Sequence, residues 1–278
     1  MKEIVKFIKE GLKITSKTKV NEYNHPKSKK ELQDLLNQLI EERGNEGDFN
    51  DIDTSEITDM TDLFYDMNKF NGDISKWDVS NVVDMNSMFY KCKSFNQPLN
   101  NWDVSNVTNM NGIFYGCESF NQPLNNWNVS NVTSMIYMFY GCKLFNQPLN
   151  NWNVSNVTDM HYMFYGCKLF DQPLNNWDVS NVIDMNYMFY DCDSFNQQLA
   201  NWDVYHVINM DSMFYSCKSF NQDISNWNMG KVKTLEYMFY GCKSFNQDIS
   251  KWNVSNVKNN HKIFYNCPIE EKYKPIFK

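Results

Sequence analysis

The strongest constraint on this chain is a period. The stretch Met85-Asn-Ser-Met-Phe-Tyr-Lys-Cys-Lys-Ser-Phe-Asn-Gln-Pro-Leu-Asn-Asn-Trp-Asp-Val-Ser-Asn-Val-Thr-Asn109 begins again at Met110, and it recurs from there to Cys267. Every tryptophan falls at one phase of the repeat, from Trp77 through Trp102 and Trp127 to Trp252, and every cysteine at another, from Cys92 to Cys267. A fixed period in the twenties is the mark of a solenoid, in which each repeat is one coil and like residues stack in columns. Length therefore says little about domain number, because such a chain grows by adding coils.

Charge follows the same division. The net −7 arises in residues 51–267, with 13 Lys/Arg against 22 Asp/Glu, while residues 1–50 are nearly balanced. Acidic coils repel a phosphate backbone, so nucleic acid is not an expected partner. The opening residues Met1 to Leu12 are interrupted by Lys6, Lys9 and Glu10. They lack the unbroken apolar run of a secretory signal or a membrane span, and no nearby cysteine offers a lipid site. The expectation is an intracellular chain as given, with no membrane insertion.

Equal spacing of the eight cysteines argues against a disulfide framework. Stacked side chains point the same way, whereas a disulfide needs a dihedral near 90°. Met67 stands in the cysteine column of the first coil, a replacement that suits packing and not redox chemistry. A ladder of free, buried thiols is expected.

Three regions follow. Residues 1–50 form an N-terminal capping region. Within it Leu12–Val20 alternates like a short strand or hairpin. A helix follows, with Ser28 and Glu31 as a capping box, Leu32, Leu35, Leu36, Leu39 and Ile40 as an apolar stripe, and Gly44 as its stop. Residues 51–267 form the solenoid of about nine coils. In each, Val104, Val107 and Met110 and their counterparts read as a short parallel strand. Met110, Ile113, Phe114, Cys117 and Phe120 follow at helical spacing, which predicts one short helix per coil, ended at residues such as Pro98, Pro123, Pro148 and Pro173. Residues 268–278 form a C-terminal cap, where Asn260 and Glu270 have already broken the column pattern. The fold class is thus an α/β repeat.

The unit from Met138-Phe-Tyr-Gly-Cys-Lys-Leu-Phe-Asn-Gln-Pro-Leu-Asn-Asn-Trp through Asn-Val-Ser-Asn-Val-Thr-Asp-Met160 resembles the BspA-like leucine-rich-repeat surface proteins. It is closer still to the 25-residue bacterial lipoprotein repeat, over residues 52–267. The resemblance implies an LRR-like solenoid, no enzymatic activity, and adhesion or surface display. The missing leader and lipid site depart from that pattern.

The Trp, Val, Met, Phe and Cys columns are core. The Asn column (Asn81, Asn106, Asn131, Asn156, Asn181, Asn256) satisfies backbone groups at turns and pairs with its own copies. It breaks at Tyr205-His206 and Gly230-Lys231. A tyrosine runs through every coil from Tyr65 to Tyr265, at the margin of the buried stripe. The positions that vary between columns carry Ile136, Tyr137, His161, Tyr162, Tyr187 and Tyr237, and these are the candidate partner-binding residues.

No catalytic constellation is visible. The histidines do not cluster, a linear thiol ladder cannot wrap a zinc ion, and Asp78, Asp103 and Asp178 attract cations weakly at most in a column diluted by Asn128, Asn153 and Asn253. No cofactor, catalytic residue or metal is expected. The expected function is a non-enzymatic scaffold that binds a protein (host or self) or a glycan; the alternative is a structural spacer or self-associating rod.

Overall fold

The computed structural model describes residues 24–277. The expected strand or hairpin at Leu12–Val20 lies outside them. The first element, α1 (Lys29–Arg43), starts where Ser28 Oγ accepts the Glu31 amide at 3.3 Å and stops at Gly44, whose φ of 79° is open to a residue without Cβ. The Glu31 carboxylate reaches back one residue further than a capping box requires, accepting the Lys27 amide at 2.8 Å. Leu32, Leu35, Leu36 and Leu39 turn inward and join the core of the first repeat.

From residue 48 onward, successive repeats lie one against the next. Parallel bridges link Asp59 to Asp84, Asp84 to Asn109, and so on to Thr234 and Asn259, always 25 residues apart. Each is a single bridge. Neither the short strand nor the short helix expected in every repeat forms among the described residues: a chain of tight turns replaces both.

The hydrogen bonds explain why. Within residues 85–92, the amides of Met85, Ser87, Phe89 and Lys91 donate to the carbonyls of Asn109, Asn111, Ile113 and Tyr115 in the following repeat. The alternate amides of Met88, Tyr90 and Cys92 close turns onto Met85, Ser87 and Phe89. The Asn86 amide goes to Asp84 Oδ1 at 2.8 Å. Every amide of the segment is thereby paired, half of them to the neighbouring repeat, which a helix with its internal ladder could not do. The geometry requires two left-handed residues per repeat, four apart: Ser87 and Lys91, then Gly112 and Gly116, then Tyr137 and Gly141. The spacing of apolar residues has a helical look because these turns also bring every third or fourth side chain to one side.

The core is one continuous column set. Phe89 and Phe114 stack at 5.6 Å with planes 3° apart, and Trp152 and Trp177 at 6.4 Å with planes 1° apart. Polar atoms inside it are satisfied across the repeat boundary. Each indole N–H donates to a carbonyl of the repeat before, as Trp127 does to Leu99 at 2.8 Å. Each thiol from Cys92 to Cys242 donates to a phenylalanine carbonyl of the repeat before, as Cys142 does to Phe114 at 3.0 Å. Met67 and Ile52 stand in the Cys and Trp columns of the first repeat. All eight thiols are free.

Candidate partner-binding face

The turns that carry the cross-repeat bonds also place two rows of side chains on the outside. The first is the tyrosine column. Tyr65, Tyr90, Tyr115, Tyr140, Tyr165, Tyr190, Tyr215, Tyr240 and Tyr265 form an unbroken stack with centroids 4.3 to 4.9 Å apart. Since the rings face one another, their flat surfaces are used within the stack. The row offers solvent its ring edges and hydroxyls, not the open aromatic faces that an exposed tyrosine track suggests.

The second row is built at the first left-handed position of each repeat. Its occupants are Asp62, Ser87, Gly112, Tyr137, Tyr162, Tyr187, Ser212, Tyr237 and Lys262, all with φ between 50° and 59°. Left-handed backbone costs an ordinary residue about 1–2 kcal/mol, and aromatic contacts return about 0.5–1.5 kcal/mol each. Tyr162 stacks on Tyr187 at 4.5 Å, leans on Tyr137 at 4.9 Å and meets Tyr165 at 5.8 Å, enough to offset the cost.

Where the preceding repeat has a small residue at this position, the ring turns over. Tyr137 follows Gly112 and stands edge-on to Tyr115 and Tyr140, 71° from each. Tyr237 follows the buried Ser212 and takes the same pose against Tyr215 and Tyr240. Each of the two is met edge-on by a histidine of the next repeat, Tyr137 by His161 at 5.3 Å and Tyr237 by His261 at 5.4 Å.

Of the candidate residues, Ile136, Tyr137, His161, Tyr162 and Tyr187 occupy neighbouring repeats and form one half-buried patch, while Tyr237 stands apart beyond Ser212. Ile136 contributes backbone as well, its amide donating to Asn111 Oδ1 at 2.9 Å. His161 Nδ1 lies 2.6 Å from Asp159 Oδ1, which fixes its ring against the tyrosines. Burial raises the Tyr162 phenol to about 12, with the neighbouring tyrosines adding to it, so this hydroxyl stays protonated and is available as a donor.

Sequence reasoning missed the step at the start of this patch. Ser87 and Gly112 leave the second row without rings, and a groove of about 410 Å³ opens between them, Tyr90, Tyr115 and Tyr137. On the other flank of the tyrosine stack, ion pairs climb from repeat to repeat: Glu118 sits between Lys93 at 3.5 Å and Lys143 at 2.6 Å, and Asp193 between Lys168 and Lys218. The recurrence of Lys at Lys93, Lys143, Lys168 and Lys218 was the available signal for that ladder.

The Asn column is not a stack of like pairs. From Asn81 to Asn181 each side chain donates instead to a serine carbonyl of the repeat before, as Asn131 Nδ2 does to Ser105 at 2.7 Å. Asn256 donates to the Gly230 carbonyl, and His206 Nδ1 takes the same place at 2.9 Å from the Ser180 carbonyl. At the next position Lys231 has no such bond and lays its ammonium 4.2 Å from the Tyr205 ring centroid. The carboxylates of Asp78, Asp103 and Asp178 accept the amides of Ser80, Ser105 and Ser180, which gives them a turn-forming role. Among the described residues no three or more His, Cys, Asp or Glu side chains gather to hold a metal ion, and no helix is long and apolar enough to cross a membrane.

A family described as Mycoplasma protein of unknown function, DUF285, matches residues 32–142, 122–207 and 172–273. The chain belongs to this family. The overlapping DUF285 matches begin inside α1 and run through the last repeat, so they span both tyrosine rows. That they overlap, over residues 122–142 and 172–207, is what a repeated unit produces when one description can be laid on it in several registers. No curated protein and no solved structure matches the chain.

Proposed function

We propose that the chain is an LRR-like solenoid of the BspA-like kind and serves as a non-enzymatic binding scaffold. Residues 24–50 close one end and residues 268–277 cover part of the other. The partner is a protein or a glycan, held along the patch of Tyr137, His161, Tyr162 and Tyr187 beside the tyrosine stack.

The observation that carries this reading is the second row. Gly112 meets no steric cost at this left-handed backbone, yet three consecutive repeats place tyrosine there instead. The core columns hardly change from repeat to repeat, whereas this row and the one before it change freely while staying aromatic at the centre. A surface that keeps bulky, hydrogen-bonding side chains on an unfavourable backbone suits recognition better than mere solubility.

The test replaces Tyr137, Tyr162 and Tyr187 together by Ser, a residue the row already tolerates at Ser87 and Ser212. The variant should keep the wild-type near-ultraviolet dichroism of its indoles and lose capture of the partner or glycan by about a hundredfold or more. Retained capture in a folded variant would place recognition on another face. The second reading, a spacer or self-associating rod, is favoured by no comparable feature of the patch and predicts that the triple variant behaves as wild type.

A further inference from the structure

The two ends of the repeat array differ. At the N-terminal end α1 covers the first repeat, burying Leu32, Leu35, Leu36 and Leu39 against it. At the C-terminal end the chain leaves its path at Pro268, passes through a single 3-10 turn at Glu271–Tyr273, and returns a hydrogen bond from the Ile249 amide to the Tyr273 carbonyl at 3.0 Å. This covers one half of the last repeat, where Ile269 is buried. The other half, residues 257–266, is left as a backbone edge, with the Lys274 ammonium 5.7 Å from the Phe264 ring centroid.

That edge has a definite chemistry. In the repeat before it, the amides of Leu235, Tyr237, Phe239 and Gly241 donate to the carbonyls of Asn259, His261, Ile263 and Tyr265. The corresponding amides of Asn260, Lys262, Phe264 and Asn266 have no acceptor among the described residues. The Lys258 amide donates to Lys233, and its own carbonyl stands where the next repeat's amide would dock. Val257 and Phe264, whose counterparts Val232 and Phe239 are fully buried, are only half-buried. The edge therefore presents four donors, one acceptor and two apolar column ends, in the same register that every earlier repeat offers its successor.

Its charge is reversed relative to the rest of the array. Residues 249–269 contain Lys251, Lys258 and Lys262 and no Asp or Glu, while the carboxylates of the C-terminal segment, Glu270 and Glu271, are already paired with Lys272 and Lys274. We propose that this edge is a docking site for an acidic polypeptide segment of another protein, which adds to the array as one more repeat-like turn. A second copy of this chain fits less well, because its matching carbonyl edge lies under α1. The recognition is strand addition in its logic, with backbone bonds for affinity and apolar and charged side chains for choice of partner.

The chain supplies its own probe. Residues 182–193, Val-Ile-Asp-Met-Asn-Tyr-Met-Phe-Tyr-Asp-Cys-Asp, present to the preceding repeat the Ile183 amide and the carbonyls of Asp184, Asn186, Met188 and Tyr190, and they carry three acidic and no basic side chains. A labelled peptide of that sequence, with its cysteine replaced by Ser, is titrated into the full-length protein. The expected result is saturable binding that slows amide exchange at Asn260, Lys262, Phe264 and Asn266 and leaves Leu235, Tyr237, Phe239 and Gly241 unchanged. Binding should weaken about tenfold with rising salt or in the K258E/K262E double variant. A peptide with its three Asp replaced by Lys should not bind. Absence of binding, protection of other amides, binding indifferent to peptide charge, or self-association of the protein in place of peptide binding would each overturn the proposal. The Tyr137, Tyr162 and Tyr187 triple variant should bind the peptide normally, so failure here is separable from failure of the tyrosine face.

Discussion

The indole N–H of Trp152 donates to the carbonyl of Leu124 at 3.0 Å, across the boundary between two repeats and inside the core. The pair explains why tryptophan and not phenylalanine recurs here: the site needs a large ring and a donor for a carbonyl that water cannot reach. Trp152→Phe keeps most of the ring and leaves the carbonyl with the Trp127 amide alone, at 3.1 Å. Losing one of its two hydrogen bonds costs about 0.5–1.5 kcal/mol, so chemical denaturation should show a loss of that order with an unchanged slope. A neutral substitution would mean the indole bond contributes nothing.

The thiol ladder predicts a reactivity pattern. Burial pushes the Cys92 thiol up to about 12 and the thiols from Cys117 to Cys242 well above the ordinary value, while Cys267 is raised but only half-buried. Thiolate is the reactive form. An aromatic disulfide reagent at mildly alkaline pH should label Cys267 first, and the other seven only as fast as the protein unfolds. Rapid labelling of several thiols in the folded protein would contradict the burial of the column.

Asp184 should make folding sensitive to pH. Burial raises its carboxyl above the unfolded value of 3.8, with the charge of Asp159 adding to that and the amide of Asn186 opposing it. The protonated form is thus favoured in the folded chain. Its contribution to stability is fully present below the unfolded value and is lost as pH rises through the folded one. Asp184→Asn, which can keep the bond from the Asn186 amide, should therefore be more stable than wild type at neutral pH, with the gain vanishing in acid. Equal stability curves across pH would show that the carboxylate is adequately solvated.

Much of this was legible in residue spacing. The phases of Trp102 and Cys117 marked them as core, and Ser28, the leucines of α1 and Gly44 marked both ends of the helix. The local conformation of the repeats was not legible, because Met110, Ile113, Phe114 and Cys117 have the spacing of a helix whether the chain is helical or makes overlapping turns. The decisive residues, at the left-handed positions, include Tyr137, Lys91 and Asp66 as well as Gly141, so no run of glycines announces them. Nor does sequence show where a bond points: Asn131 reaches the Ser105 carbonyl and not its own copy, and Cys142 reaches back to Phe114. The candidate patch was found from variation and aromatic enrichment, but the pose of Tyr137 depends on the absence of a side chain at Gly112.

All of these relationships assume that one repeat is interchangeable with the next in register. Deleting residues 128–152 removes one whole repeat and joins Trp127 to Asn153, so every cross-repeat bond can re-form with the following copy. Deleting residues 128–139 removes about half of that length and brings unlike columns together. Thermal unfolding followed by near-ultraviolet dichroism of the indoles compares the two. The account predicts a cooperative transition and a native-like indole signal for the whole-repeat deletion, and loss of both for the half-repeat deletion. A whole-repeat deletion that fails to fold, or a half-repeat deletion that folds as wild type does, would contradict the stacking on which the face, the thiol ladder and the open edge all rest.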